Sequence, residues 1–228
     1  MLLLVTDTSG KHGSVGLVRA GDAAGKNEIQ LVESVSLAGG TFSAQLVPQI
    51  AGLLSKHRLG KKEVDAFVVI SGPGSFTGLR VGLAAIKALA EILQKPVVPV
   101  SLLEVVAVAA KVEGNVVAAV DAGRGEVYIG EYLVERETAR IRSEQLIRNR
   151  DYAAATRGYA VSTPDAALAQ IAHDAGLMVH LVAIGAEAIA EVGWRKLRAG
   201  QTVPPEQLEA NYIRRSDAEI FSKPTSGS

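Results

Sequence analysis

Three groups of residues have the types and spacing to do chemistry. Ser71-Gly-Pro-Gly-Ser-Phe-Thr-Gly78 joins an apolar run to a helical pattern. Backbone N–H groups at such a turn can hold an anion. The segment is not a Walker A loop, because Leu79-Arg80 stands where Lys-Ser/Thr is needed. Nor is it a nucleophile elbow, since Pro73 and Thr77 flank Ser75 where glycines belong. The same glycines would equally serve tight strand–helix packing, with Ser75 or Thr77 as cap. Asp7 and Asp121 each end an apolar strand pattern and open a Gly-containing turn. Facing each other across a cleft, two such carboxylates could hold a metal–phosphate unit. As turn residues they would only cap their own backbone. The histidines are His12, His57, His173 and His180, and no pair stands at i, i+4. A His-x-x-x-His metal motif is therefore missing, and solvent-facing or packing roles are expected. Arg195-Lys-Leu-Arg198 and Arg214-Arg215 are short basic clusters of the kind that form solvated faces.

The elements that must position these groups follow from apolar period. Leu2–Asp7 and Ser14–Val18 read as a hairpin, with a third strand near Glu28–Leu37. Phe42, Leu46, Ile50 and Leu53 repeat at helical spacing over Thr41–His57, with Thr41 or Ser43 as N-cap. Pro48 should kink that helix or mark its effective start. Val64–Ile70 and Val97–Val100 are strands around a second helix, Thr77–Leu93. Ser101-Leu-Leu-Glu104 reads as a capping box opening a third helix to about Lys111. Strands are expected at Asn115–Val120, Glu126–Val134, Ala139–Leu146, Gly158–Ser162 and Val179–Val182. Thr163-Pro164 looks like an N-cap and N1 pair for a helix to about Ala175, and Gly185–Ala199 is a last helix. Asp7 to Gly16 and Asp121 to Gly130 span the same distance and run through the same strand–turn–strand pattern. Such an echo suggests two copies of one unit in an α/β chain.

Composition narrows the function classes. The 228 residues are 48% hydrophobic, enough for a sizeable core. Lys plus Arg and Asp plus Glu are 24 each, so the net charge is zero. Bulk charge cannot hold a polyanion here, and any nucleic-acid role must be local or indirect. Cysteine is absent, which removes disulfides, thiolate metal sites and Cys nucleophiles. The apolar start Leu2–Val5 has no basic region and is not read as a signal peptide. The apolar stretch Val97–Ala110 holds Pro99, Ser101 and Glu104, so no membrane span is expected and the chain reads as cytoplasmic.

Four segments then become specific in combination: Leu4-Val-Thr-Asp-Thr-Ser9, Gly72-Pro-Gly-Ser-Phe-Thr-Gly-Leu-Arg-Val-Gly82, Val120-Asp-Ala-Gly-Arg-Gly-Glu-Val-Tyr128 and Asn211-Tyr-Ile-Arg214. In that order they resemble the TsaB (YeaZ) family of tRNA threonylcarbamoyladenosine biosynthesis proteins, over about residues 1–215. The resemblance implies an ASKHA fold, as in actin and sugar kinases, with two domains built on duplicated β-hairpin cores. The corresponding division is residues 1–102, then a smaller domain 103–182, a C-terminal helix and segment 183–223 packing across both, and a disordered tail 224–228. It further implies a non-catalytic subunit, with no catalytic residue and no metal of its own. That subunit supports its paralogue TsaD in making N6-threonylcarbamoyladenosine at position 37 of tRNAs reading ANN codons. TsaE with ATP joins the assembly; ATP/ADP and a metal belong only to the assembled complex, and tRNA is reached only through it. Without TsaD a homodimer is expected. The interface implied by the resemblance uses the first-domain helices, with Phe42, Leu46, Ile50, Leu53, Phe76, Leu79, Leu83 and Ile86 as candidates. Phe42 stands where the family often has His, which would add apolar area to that interface. Asp7, Thr8, Ser9 and Asp121 are weaker candidates for nucleotide-phosphate contacts. Two other readings remain open at this point: a stand-alone ASKHA-like kinase or phosphohydrolase, and an M22 glycoprotease-like hydrolase.

Overall fold

A computed structural model describes residues 1–23, 26–136 and 138–213. Arg214-Arg215 and the tail expected at 224–228 lie outside the described residues. The first half forms a five-stranded sheet from β1 (Leu2–Asp7), β2 (His12–Ala23), β3 (Lys26–Ala38), β4 (Ala66–Gly72) and β5 (Val97–Ser101). Its spatial order is β3-β2-β1-β4-β5. Strands β1, β2 and β3 pair antiparallel, whereas β1–β4 and β4–β5 pair parallel. The interior strand β4 is almost wholly buried, which its β-branched run Val68-Val69-Ile70 suits.

The second half repeats this plan. Its strands are β6 (Gly114–Gly123), β7 (Glu126–Glu135), β8 (Thr138–Arg148), β9 (Ala160–Thr163) and β10 (Val179–Leu181). Read from the far edge the order is β8-β7-β6-β9-β10, with the same two antiparallel and two parallel pairings. The two expected hairpins are thus the cores of two sheets of identical topology.

Helices cover these sheets in layers. α1 (Phe42–Lys56) and α2 (Phe76–Leu93) lie on one face of the first sheet, where Leu46, Ile50, Leu53, Leu79 and Ile86 meet Leu4, Phe67 and Val69. Complete burial of a side chain such as Ile86, which has 0% exposure, stabilises by about 1.5–3 kcal/mol. α3 (Leu102–Ala109) sits between the sheets: Val105 and Val108 pack on the first, and Leu103, Val106 and Ala107 on the second. α4 (Tyr152–Ala155) and α5 (Ala166–Asp174) cover the far face of the second sheet through Tyr152, Leu168 and Ala172. α6 (Ala186–Arg198) returns to the first sheet and buries Ile189, Ala190 and Trp194 beside α3. The segment after α6 runs back along the first half: Val203 bridges Val97, and Lys87 Nζ donates to Glu206 O at 2.8 Å.

Local chemistry departs from expectation at several points. Pro48 lies inside α1 with turns on both sides, on the exposed face, so it does not mark the start. Thr41 is the N-cap position, but its hydroxyl donates to Ala38 O instead of capping. Ser101 forms no capping bond either; its hydroxyl donates to Glu144 Oε1 at 2.6 Å, and Glu104 pairs with Lys196 Nζ at 2.9 Å. Thr163 ends β9, held in register opposite Leu181, so α5 begins at Ala166 behind Asp165. His57 is not simply solvated: its Nε2 lies 2.8 Å from Glu33 Oε2.

Candidate functional site

The four specific segments of the sequence converge on one cleft of about 1160 Å³. One wall is the β1–β2 turn, Ser9 to His12, with the loop Pro73–Gly78. The opposite wall is the β6–β7 turn, Asp121 to Arg124, backed by Tyr128. Asn211, Tyr212 and Ile213 close one side. That closure is specific. Asn211 N donates to Ser71 O at 2.7 Å, and a Cβ on Gly72 would meet Asn211 O. Gly72 also has φ +133°, a conformation open mainly to glycine. Above the closure, the Arg80 guanidinium lies 3.7 Å from the Phe76 ring centroid, and Phe76 packs on Tyr212 at 4.7 Å. Arg80 Nε donates to Tyr212 Oη at 3.3 Å. Sequence reasoning missed this triad, whose only signal is the joint occurrence of two distant motifs.

The glycine-rich loop is turned onto its own protein. Ser75 N donates to Ser9 O at 2.6 Å, and Ser75 Oγ accepts from Gly78 N as the cap of α2. Cβ atoms on Gly74, Gly78 and Gly82 would each lie within 3.0 Å of Ser9 or Thr8 atoms. Neither Gly74 nor Gly78 has positive φ, so it is close approach to the β1–β2 turn that demands glycine there.

The aspartates behave alike, each bonded to the backbone of its own turn. Asp7 Oδ1 accepts from Ser9 N at 2.8 Å and from Ser9 Oγ at 2.6 Å. Desolvation by burial raises the Asp7 carboxyl above the usual range, against those two bonds. Asp121 Oδ1 accepts from Gly123 N at 2.9 Å. Ser9 and Asp121 line the cleft, whereas Asp7 and Thr8 do not. Of the pair expected to flank a metal–phosphate unit, one oxygen of each carboxylate is thus already engaged by its own turn. Among the described residues no three His, Cys, Asp or Glu side chains are grouped to hold a metal ion. No described helix is long and apolar enough to cross a membrane.

A half-buried polar junction ties Asn211 to the second sheet. Glu144 on β8 accepts from Ser101 Oγ and Tyr132 Oη at Oε1, and from Asn211 Nδ2 at 2.7 Å at Oε2. Burial, then the Glu144 charge, holds the Tyr132 hydroxyl far above its ordinary range, so it stays a donor.

The helix pair corrects the interface residues. Phe42, Leu46, Ile50, Leu53, Leu79, Leu83 and Ile86 are buried in the chain's own core, and only Phe76 is half-exposed. The bulky member of each turn faces the sheet because a large side chain fills that space best. Phe42 adds no outward area: its ring fills the gap between Gly13 and Gly78. The outward stripe is mostly small, with Ala44, Pro48 and Ala51 on α1 and Ala84 and Ala88 on α2, and carries the larger Val47 and Ile92. Val47 is 50% and Ile92 73% exposed.

The family model described as TsaD, tRNA N6-adenosine threonylcarbamoyltransferase, matches residues 36–175, more than half of the chain. The Haemophilus influenzae tRNA threonylcarbamoyladenosine biosynthesis protein TsaB is 38% identical over 139 residues, 60% of this chain. In that match the chain spans about half of the relative's length, 56%. The Escherichia coli protein of the same name is 26% identical over 96% of both chains. The structure of YeaZ from Pseudomonas aeruginosa superposes with a TM-score of 0.70 at 25% identity, covering 92% of this chain and 100% of that one. The duplicated topology, the convergent motifs and these matches agree: the chain belongs to the TsaD family and is homologous to the TsaB (YeaZ) proteins.

Proposed function

We propose that this chain is the non-catalytic partner that binds and supports a TsaD threonylcarbamoyltransferase during synthesis of N6-threonylcarbamoyladenosine at position 37 of tRNAs reading ANN codons. The observation that carries this reading is the outward face of α1 and α2. Two adjacent helices present alanines, Pro48, Val47 and Ile92 to solvent, while most of their bulky residues cover the sheet. Small residues let another helix pair approach closely, and an exposed apolar stripe favours burial. TsaD is the occupant, TsaE joins with ATP, and a second copy of the chain takes the stripe when TsaD is absent. ATP or ADP and a metal belong to the assembled complex. A tRNA role also places the chain in the cytoplasm, and the division at 1–102, 103–182 and 183–223 serves to present the helix pair on the first unit. A stand-alone kinase or phosphohydrolase would use Asp7 on a ligand, whereas its Oδ1 already accepts from Ser9 N and Ser9 Oγ.

The test is co-elution of the chain with the TsaD of the same organism on size exclusion. Ala51→Glu and Ala88→Glu should abolish it while circular dichroism stays unchanged. Undiminished co-elution of the double variant would place the interface elsewhere.

A further inference from the structure

The far side of the second sheet carries a charge pattern that the helix-pair interface does not use. From Thr138 to Tyr159 every cation is an arginine: Arg140, Arg142, Arg148, Arg150 and Arg157. All five are exposed. Two acidic residues share the stretch, Glu144 and Asp151, and Glu144 is turned inward to Ser101, Tyr132 and Asn211. A chain of zero net charge thus concentrates positive charge along one sheet edge.

The geometry gathers three of these side chains, Arg140, Arg142 and Arg157, on the face of the sheet that Tyr159 covers, whereas the bulge turns Arg148 to the other face with Leu146. Arg140 lies opposite Leu133 on β7, and Arg142 is the extra residue of a bulge, between the pairs Glu131–Ser143 and Tyr132–Ile141. Bulges re-aim a side chain out of the regular alternation. The turn after α4 folds back over this point: Tyr159 Oη donates to Glu131 Oε2 at 3.1 Å, with Arg142 beside the phenol. That turn also carries Arg157. Arg140, Arg142 and Arg148 form no ion pair with a carboxylate among the described residues. Protection of a free sheet edge would account for charges on β8 itself. It does not account for Arg150 and Arg157 on the connections, nor for arginine in every position. Guanidinium groups suit phosphate because they offer planar, bidentate donors.

We propose that the β8 edge and the α4 turn form a phosphodiester-binding surface for RNA, read through its backbone. The choice of RNA among polyanions rests on the tRNA-modification reading above. Arg140 and Arg142 on the strand and Arg157 on the turn over it supply three guanidinium groups, enough to engage successive phosphates. The surface lies on the second sheet and the outward helix stripe on the first, so a partner protein and RNA can be held together.

The test uses the full chain and an unmodified tRNA transcript, with binding followed by fluorescence anisotropy between 50 and 200 mM salt. The variant R140Q/R142Q/R157Q should bind at least tenfold more weakly at the low-salt end. Its slope of log affinity against log salt should fall by about 2, the loss of three phosphate contacts. Lys61→Gln with Lys62→Gln, far from this surface, should leave both quantities unchanged. Equal melting temperatures show that the variants are folded. Absence of RNA binding by the unaltered chain, or unchanged affinity in the triple variant, overturns the proposal. So does tighter binding to anionic lipid vesicles than to the transcript. TsaD co-elution measured on the same samples separates the two readings. Its loss in the unaltered chain defeats the partnership and leaves the RNA surface to be judged on the salt slopes.

Discussion

Gly78→Ala and Gly52→Ala are the same chemical change in two helices, and they should move stability in opposite directions. Gly52 lies in the middle of α1, exposed, with no atom within 4 Å of where its Cβ would stand. Replacing an exposed helical glycine by alanine stabilises by up to about 1 kcal/mol. Gly78 stands in the first turn of α2, and a Cβ there would lie well within 3.0 Å of the Thr8 carbonyl oxygen. That oxygen cannot swing away as a flexible side chain could. Thr8 is 1% exposed at the end of β1, and the neighbouring Ser9 carbonyl is already bonded to Ser75 N. Either the helix start or the turn must shift, an overpacking cost of about 1–3 kcal/mol. The propensity gain at a helix terminus offsets only part of it. The net expectation is a loss of about 2 kcal/mol for Gly78→Ala, or a melting point lower by about 4–8 °C in a chain of this length. Urea unfolding followed by circular dichroism measures both variants. The midpoint should fall for Gly78→Ala and rise for Gly52→Ala, with slopes unchanged. A Gly78→Ala protein as stable as the parent would refute the close-approach argument. Loss of anion binding at full stability would return the loop to a phosphate-cradling role.

Three further outcomes follow from the same contacts. Glu144→Ala leaves the buried Tyr132 hydroxyl and the half-buried Ser101 hydroxyl without their acceptor and should cost about 2 kcal/mol by urea unfolding; a cost below about 1 kcal/mol would show that the junction is not needed. Glu104 is held above the usual carboxylate range by burial, against the attraction of Lys196. The folded state thus keeps that proton to higher pH than the unfolded state does. Its contribution is most favourable below the unfolded value and declines as pH rises through the folded one. The parent should therefore lose stability relative to Glu104→Gln across the weakly acidic range and level off above it; a flat or opposite difference would contradict the assignment. Phe42→His puts polar ring nitrogens where Phe42, 6% exposed, fills the gap between Gly13 and Gly78, and should destabilise by about 1–3 kcal/mol; an unchanged melting point would mean that the gap already offers a hydrogen-bond partner.

The duplicated fold is legible in the sequence because its signal is local and repeated. Each half opens with an apolar strand, an Asp-led turn and a return strand, so spacing alone pairs the halves. Helix positions are legible for the same reason, but their facing is not. On α1 the large residues Leu46 and Ile50 and the outward residues Val47, Pro48 and Ala51 are all apolar or small. Periodicity then marks two candidate faces, and only the shape of the sheet decides that the bulky one is inside. Caps fail where a distant partner competes. Ser101 has the right spacing for a capping box, yet a half-buried carboxylate 43 positions away takes its hydroxyl. Arg80 and Tyr212 meet across 132 positions, a contact that no local rule can anticipate. The cleft as a whole is legible only as a set of motifs, since what each motif touches is another motif.

The two Asp-led turns are also closed on themselves. Each aspartate accepts the N–H two residues ahead, so each holds its own turn closed. In the first half the serine hydroxyl adds a second bond to Asp7, and the glycine loop packs directly on that turn. Opening Asp7 toward the cleft would break both bonds and strip Ser75 N of an ordered acceptor at Ser9. At about 1 kcal/mol or more for each bond, that rearrangement is costly unless a ligand returns at least as much. Burial acts in the same direction, because it disfavours the charged carboxylate that a metal–phosphate unit would need. The residues best placed by topology to act are thereby fixed as structure. What the first half leaves available to a partner is its outward helix face, where substitution leaves the cleft untouched. That separation is why Ala51→Glu and Ala88→Glu should break assembly without altering the fold.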